Sequence, residues 1–329
     1  MDLHSASIRE AKYLGAMLTG AVSRSDKTAA AHRALRDGHA GKSEFEKAIE
    51  SDRSQIIASQ KGFAFISGGQ SDWLDILRPL AHGLMGFEKR RTSGEDAIGP
   101  VTRWFRTNTF YRKPTVVGQL QSVGSEISGA LPEIANGIAF LLGPYSFSRL
   151  VENNYYKTDA ELMRDYMHAI AANLPQLHEK GYRCLLFLEP SISDAISSGN
   201  LKAPTGYPEA LGLVAGAGFA LGVHFPLADG ALAAPLLEGA AVDFIGIDGI
   251  HTEFSNISTR KDMLLGIVDG SRAGIEDADL LKGEISRFLN EANFSGRYYI
   301  GPNDRLFDVP FGIALEKIRA LAALGEHTK

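Results

Sequence analysis

Four side chains able to carry a proton or a charge stand where apolar runs end. "CLLFLEP" runs into Glu189, "FALGVHFP" into His224, "DFIGIDG" into Asp248 and "YYIGPND" into Asp304. Carboxylates and imidazoles in such places can bind an amine or ring nitrogen, or act as acid or base once burial moves their pKa. A second set is cationic. Arg24 and Lys27 close the run "AMLTGAVSR" and the turn after it, and the stretch "VTRWFRTNTFYRKP" (residues 101–114) gathers Arg103, Arg106, Arg112 and Lys113 among aromatic rings, with Asn108 between two threonines. Two arrangements account for that stretch: a twisted β-ribbon with a solvated face, or a surface that holds an anionic ligand. In either, strand-end residues also turn polar simply because loops begin there.

Those residues need elements to position them. One event recurs along the chain: a short run rich in Leu, Ile, Val or Phe, then Gly, Pro or a polar residue, then a longer stretch with helical spacing. Parallel strands covered by helices on both faces read this way, because no alternation is needed. There are eight such runs, starting at Ala16, Phe63, Ile138, Cys184, Phe219, Asp243, Met263 and Tyr298. Eight strand–helix units predict an α/β fold, a single (β/α)8 TIM barrel over residues 1–329. The spacing breaks once. Residues 71–139 separate the second and third runs, and they predict a β-ribbon excursion containing Trp104. Active sites of such barrels sit at the C-terminal strand ends, where Glu189, His224, Asp248 and Asp304 fall.

The length suits this fold, which takes about 250 residues plus insertions. Apolar residues make up 44 % and charged residues 22 %, an ordinary globular balance. With 34 basic and 39 acidic residues the formal charge is −5, which disfavours a general nucleic-acid binder. The one cysteine, Cys184, lies inside an apolar run. It can form no intramolecular disulfide and no multi-thiolate zinc site, and mid-strand burial raises a thiol pKa. No stretch reaches about 18 consecutive apolar residues, so no membrane span is expected. The start "MDLHSASIREAKYLG" lacks an apolar core, so a signal peptide is not expected and the location read is cytoplasmic.

Four segments in order resemble the cobalamin-independent methionine synthases, most closely their N-terminal, zinc-free barrel. "LTGAVSRS" stands at the place of the family's Gly-x-x-Pro-Arg turn. Trp104, Phe105, Thr107, Asn108 and Tyr111 are similar to its Trp-Phe-x-Thr-Asn segment. "LLGIVDGSRAGIED" and "LFDVPFGI" look like two later motifs. The resemblance implies a (β/α)8 barrel and methyl transfer from a methylated folate with a polyglutamate tail to homocysteine. It carries tail-binding roles onto Arg24, Lys27 and Arg103, with Asn108 and Asp304 as further substrate-binding candidates. Glu189, His224 and Asp248 become the catalytic candidates.

The sequence also departs from that family. On the zinc-bearing half, His224 would stand at the zinc-binding His, Pro226 at the first Cys, Asp248 at the Glu and Asp304 at the second Cys. Both thiolates are gone, and a His-Asp-Asp set would be a harder site than the family's zinc site. No zinc and no tightly bound cofactor are expected on this chain. A separate zinc-bearing barrel protein would supply the activated thiol, and the methylated folate-type donor is a substrate. Leu188 also replaces the Asp of an Asp-Glu-Pro strand end. Two other readings stay open: a non-catalytic ligand-binding or partner protein on the same fold, and a decarboxylase like the related porphyrin-processing barrels.

Overall fold

The computed structural model describes residues 11–73, 75–88, 101–103 and 110–327. Seven strands form one parallel sheet: β1 (Tyr13–Ala16), β2 (Gly137–Leu142), β3 (Tyr182–Leu188), β4 (Ala220–Phe225), β5 (Phe244–Asp248), β6 (Asp262–Val268) and β7 (Tyr298–Pro302). Their spatial order is β1-β7-β6-β5-β4-β3-β2, so each strand from β2 to β7 lies beside its neighbour in sequence. β2 is buried at all six positions, as a strand covered on both faces must be. Residues such as Leu141, Leu186, Val223, Ile245 and Leu265 join one continuous core.

The helices start on residues suited to the task. Ser25 caps α1 (Asp26–Arg36) by accepting from the Thr28 amide. Thr158 and Glu161 make a reciprocal capping box at the start of α4 (Asp159–Glu179). Between these lie α2 (Lys42–Ala58) and α3 (Pro144–Leu150). After them come α5 (Pro190–Ser197), α6 (Ala278–Glu291) and α7 (Phe311–His327). Both α3 and α5 begin with Pro, whose fixed φ and missing amide suit the first helical position.

Six of the eight apolar runs are strands of this sheet, and the first expected strand is shifted: β1 ends at Ala16, where that run begins. The run at residues 63–70 makes only a single bridge, Ile66 to Gly137. It nevertheless touches both edge strands. The Ala64 amide donates to Ala16 O at 2.8 Å, and the Ile138 amide to Ile66 O at 3.0 Å. Beyond Ile66, two glutamines take over from the ladder. Gln60 accepts from the Ser67 amide at 2.9 Å and donates to Ser67 O at 2.7 Å. Gln70, in the left-handed region at φ 42°, accepts from the Phe140 amide at 2.7 Å and donates to its carbonyl at 3.1 Å. These side chains satisfy buried backbone groups that a regular strand would have paired.

Residues 71–136 hold short strands of their own. Val101–Arg103 pairs antiparallel with Phe110–Arg112, with Arg103 opposite Phe110. Thr115–Gln121 joins Met85–Phe87 and Glu152–Asn153 in a small sheet. That sheet is tied to α4 and the loop before it: Gln119 donates to Asp165, and the Leu120 amide to the Tyr156 hydroxyl. Trp104 and Asn108 lie outside the described residues.

Candidate active site at the strand ends

Glu189 follows β3 directly and has no solvent exposure. Its carboxyl meets the start of α3. Oε1 accepts from the Tyr145 amide at 3.1 Å, and Oε2 accepts from the Ser146 amide at 2.7 Å and the Ser146 hydroxyl at 2.6 Å. The same hydroxyl accepts from the Ser191 amide at 3.0 Å, joining the starts of α3 and α5. Gly143 leaves the room for this, since a Cβ there would collide with Glu189 Oε1. Burial pushes the Glu189 carboxyl up to about 7, against the pull of the Ser146 and Tyr145 donors. The buried Tyr207 hydroxyl couples to Glu189 without completing a hydrogen bond of normal geometry.

The second constellation spans β4, β5 and β7. Asp248 is fully buried. Its Oδ2 accepts from the Leu227 amide at 2.9 Å, Asn303 Nδ2 at 3.2 Å and His251 Nδ1 at 2.7 Å. Its Oδ1 accepts from the amides of Ile250 and His251. The Asn303 carbonyl accepts from His224 Nε2 at 2.7 Å, across the strands that separate β4 from β7. That bond places the proton of His224 on Nε2. Burial lowers the pKa of His224, and its Nδ1 packs against Gly246 with no hydrogen-bond partner.

Asp304 sits next to Asn303, and burial pushes its carboxyl up to about 6. Thr19, just past β1, donates to the Asp304 carbonyl at 3.0 Å. Arg24 lies farther along the same edge, where Val22 bridges Leu306. Its guanidinium pKa is lowered by burial first and by Arg78 second, with Asp52 and Asp72 opposing. Arg24 Nη1 is buried without a hydrogen-bond partner. Lys27 is exposed on the first turn of α1. The structure therefore brings His224, Asp248 and Asn303 into one network and places Glu189 and Arg24 in separate surroundings. The Arg103 side chain and all of Asn108 lie outside the described residues.

Sequence reasoning passed over His251. Its signal was available: an Asp that ends a strand, followed three residues later by a His in the loop. Ser146 was visible as a strand-end residue, but its bond to Glu189 joins segments 43 residues apart, a pairing that only the fold supplies.

His224, Asp248 and Asp304 are not gathered as one ligand set. Among the described residues no group of three or more His, Cys, Asp or Glu side chains could hold a metal ion. His224, Asp248 and Asp304 are each engaged otherwise: His224 with a carbonyl, Asp248 with five donors, Asp304 in burial beside Arg305. Cys184 is fully buried in β3 and its thiol is pushed well up by burial. Among the described residues no helix is long and apolar enough to cross a membrane.

A parallel α/β sheet with polar residues gathered at its C-terminal strand ends is the class of architecture in which ligand sites form at those ends. No protein-family model matches the chain. A methionine synthase of Saccharolobus islandicus (strain L.S.2.15 / Lassen #1) is 23 % identical over 259 residues, 75 % of each chain. A methionine synthase of Sulfurisphaera tokodaii is 28 % identical over 115 residues, 33 % of each chain. Two solved structures share the fold. The B12-independent methionine synthase of Shewanella sp. W3-18-1, in complex with selenomethionine, superposes with a TM-score of 0.69 at 15 % identity, over 96 % of this chain and 97 % of that one. The putative vitamin-B12 independent methionine synthase of Listeria monocytogenes gives 0.72 at 16 % identity, over 97 % and 98 %. In sequence the chain is similar to proteins named methionine synthase, and in fold to solved B12-independent methionine synthases.

Proposed function

We propose that this protein takes part in methyl transfer from a methylated folate-type donor to homocysteine. The observation that carries the reading is the similarity to methionine synthases over three quarters of the chain. In this reading residues 63–70 are the eighth stave of a closed (β/α)8 barrel, and residues 71–136 are an insertion beside it. The hydrogen bonds of that segment to both edge strands support the closure. Arg24, with a buried and unpartnered Nη1, is the anchor for a donor carboxylate, and a guanidinium suits that bidentate geometry. Lys27 and Arg103 add positive charge for a polyglutamate tail.

The thiolate has a source outside this chain in the family's zinc chemistry. Zinc held by a second barrel protein lowers the thiol pKa, and this chain presents the methyl donor. A ligand-binding protein without catalysis is the other reading. One assay set separates them. Titration with polyglutamylated and monoglutamyl methylfolate should show tighter binding of the longer tail. Arg24→Ala or Arg103→Ala should weaken the longer ligand by about ten- to a hundredfold, the loss of one charge-assisted bond. Homocysteine methylation is then measured with and without a zinc-bearing methionine synthase barrel. Binding without methylation in either arm leaves the ligand-binding reading; equal affinities and no methylation overturn both.

A further inference from the structure

Eight large apolar side chains stand exposed among the described residues, and three of them, Ile250, Ile275 and Leu280, line one cavity. It encloses about 400 Å³ beside the C-terminal ends of β5 and β6, where the loops after those strands meet α6. That size suits a small ligand, and exposed apolar side chains gathered around one hollow mark a binding surface where scattered ones do not. None of Arg24, Glu189, His224, Asp248 or Asp304 lines it. Most charge on the wall is already engaged. Glu276 accepts from Lys317 Nζ at 3.0 and 2.9 Å and from the Asp269 amide at 2.8 Å. Lys317 has no exposure, so this pair pins the loop that forms the rim. Asp269 is taken up by Ser271 and by Arg272. Arg287 lies 4.4 Å over the Phe254 ring and bonds Glu284 Oε2 through Nε at 3.1 Å and Nη2 at 2.7 Å. Two groups keep free atoms. Glu284 Oε1 accepts from no described residue. Arg272 meets Asp269 only through Nε, at 3.3 Å, with 85 % of its side chain exposed, so its Nη groups remain as donors.

We propose that this cavity is a binding site for a free α-amino acid with an apolar side chain. The side chain of the ligand covers Ile250, Ile275 and Leu280 and removes from water the surface they now expose. The α-carboxylate pairs with the open Nη edge of Arg272, a fork that matches two carboxylate oxygens. The α-ammonium donates to Glu284 Oε1. A ligand of single sign fits less well. A dianion would face the carboxylates of Asp269, Glu276 and Glu284 on the same wall, and a bare amine would leave Arg272 unmatched. The Lys317–Glu276 pair and the stack of Arg287 on Phe254 fix the wall before any ligand arrives, which lowers the ordering cost of binding. The inference stands apart from the methyl-transfer reading, although the methionine that such a transfer makes is one member of the class.

The test titrates the full chain calorimetrically with L-leucine and L-methionine. Three further probes each lack one feature: 4-methylpentanoate the amine, 3-methylbutylamine the carboxylate and glycine the side chain. Both amino acids should bind, and each truncated probe should bind about ten- to a hundredfold more weakly, the loss of one charge-assisted bond or of the apolar contact. Arg272→Ala should bring leucine down to the level of 3-methylbutylamine and leave that amine unaffected. Arg272→Lys, which keeps the charge without the fork, should recover part of the binding. Glu284→Gln should bring leucine toward 4-methylpentanoate and leave that acid unaffected. Leu280→Asp, at an exposed position where substitution spares the fold, should remove binding of every probe. Thermal melts verify that each variant is folded. The proposal is overturned if neither amino acid binds at millimolar concentration, or if 4-methylpentanoate binds as tightly as leucine. It is also overturned if Arg272→Ala and Leu280→Asp leave leucine affinity unchanged, since the amino acid then sits elsewhere on the chain. No methylation is measured in any arm, so the result judges this site whatever becomes of the methyl-transfer reading.

Discussion

The ends of β3 and β5 each carry a carboxylate with no solvent exposure, and they are held in opposite ways. Glu189 receives its donors from one place, the first turn of α3. Asp248 receives five from the loops after β4 and β5, from His251 and from Asn303 beyond β7. The Glu189 pocket is closed by tyrosines: Tyr166 and Tyr207 are both completely buried around it. The Asp248 pocket opens to water through a half-exposed imidazole. Burial is equal in the two, so burial alone does not set the role of a strand-end acid. A closed pocket with few donors makes a group that keeps its proton near neutral pH. An open cage with many donors makes a fixed acceptor that can orient a neighbour.

The largest expected effect breaks the cage. Asp248→Ala leaves the amides of Leu227 and Ile250 and the Asn303 side chain without their acceptor, while the His251 amide keeps the backbone carbonyl of residue 248. Leu227 sits at φ 67°, a conformation a leucine seldom holds unless its surroundings fix it. With about 1–3 kcal/mol for each buried donor left bare and partial relief from water entry, the loss should be about 4 kcal/mol. Urea denaturation measures it. A loss no greater than that of Glu189→Ala would mean that donor number does not distinguish the two ends.

The next effect belongs to Glu189. Its carboxyl titrates near 4.5 when exposed and near about 7 in the fold. The folded state therefore holds the extra proton between those values. The stability this lends is complete below about 4.5 and is lost as pH rises through about 7, by on the order of 3 kcal/mol. Asp304, pushed up to about 6 from 3.8, acts in the same direction over a lower window. Thermal melts from pH 5 to 8 should fall in the wild type. Glu189→Gln, whatever its offset, should flatten the upper part of that slope and Asp304→Asn the lower part.

The two ends also differ in how far the sequence announces them. Glu189, His224, Asp248 and Asp304 are legible because an apolar run that stops on an ionisable residue is a local pattern. Their pairing is not. The His224–Asn303 bond crosses two strands, and Ser146 reaches Glu189 across a loop, a helix and a strand. The segment at residues 63–70 reads as a strand because its composition is right. It pairs poorly because Gln60 and Gln70 supply by side chain what the backbone withholds. Polar side chains that imitate a ladder leave no periodic trace. His251 was hidden for a simpler reason: it lies in a loop, where no period marks which residue turns back toward the strand.

A smaller change sharpens the account of the closed pocket. Gly143 has an ordinary extended backbone, so only space forbids a side chain there. Gly143→Ala should displace the Glu189 carboxyl from the Tyr145 and Ser146 amides and cost about 2 kcal/mol, the usual scale of overpacking. Calorimetry with Gly143→Ala alone and with Glu189→Ala gives the coupling. If the two losses simply add, the glycine does not serve the carboxyl.

The smallest effect concerns the open side of the cage. His251 gains a hydrogen bond to Asp248, which raises its pKa above the usual value of 6.5. A raised imidazole contributes stability that is complete below about 6.5 and is lost as pH rises through the folded value. Half of the side chain is exposed, so solvent screens the pair and the contribution should be no more than about 1 kcal/mol. His251→Ala should therefore lose most, relative to wild type, below the usual imidazole value of 6.5, and the two stability curves should converge as pH rises well past it. The remaining donors to Asp248 come from backbone and Asn303, so the cage itself should survive the substitution. Denaturant midpoints for both proteins across this range decide the point. A loss as large as that of Asp248→Ala would make His251 a structural strut of the β5 end, and the contrast with Glu189 would then lie in packing rather than in access to water.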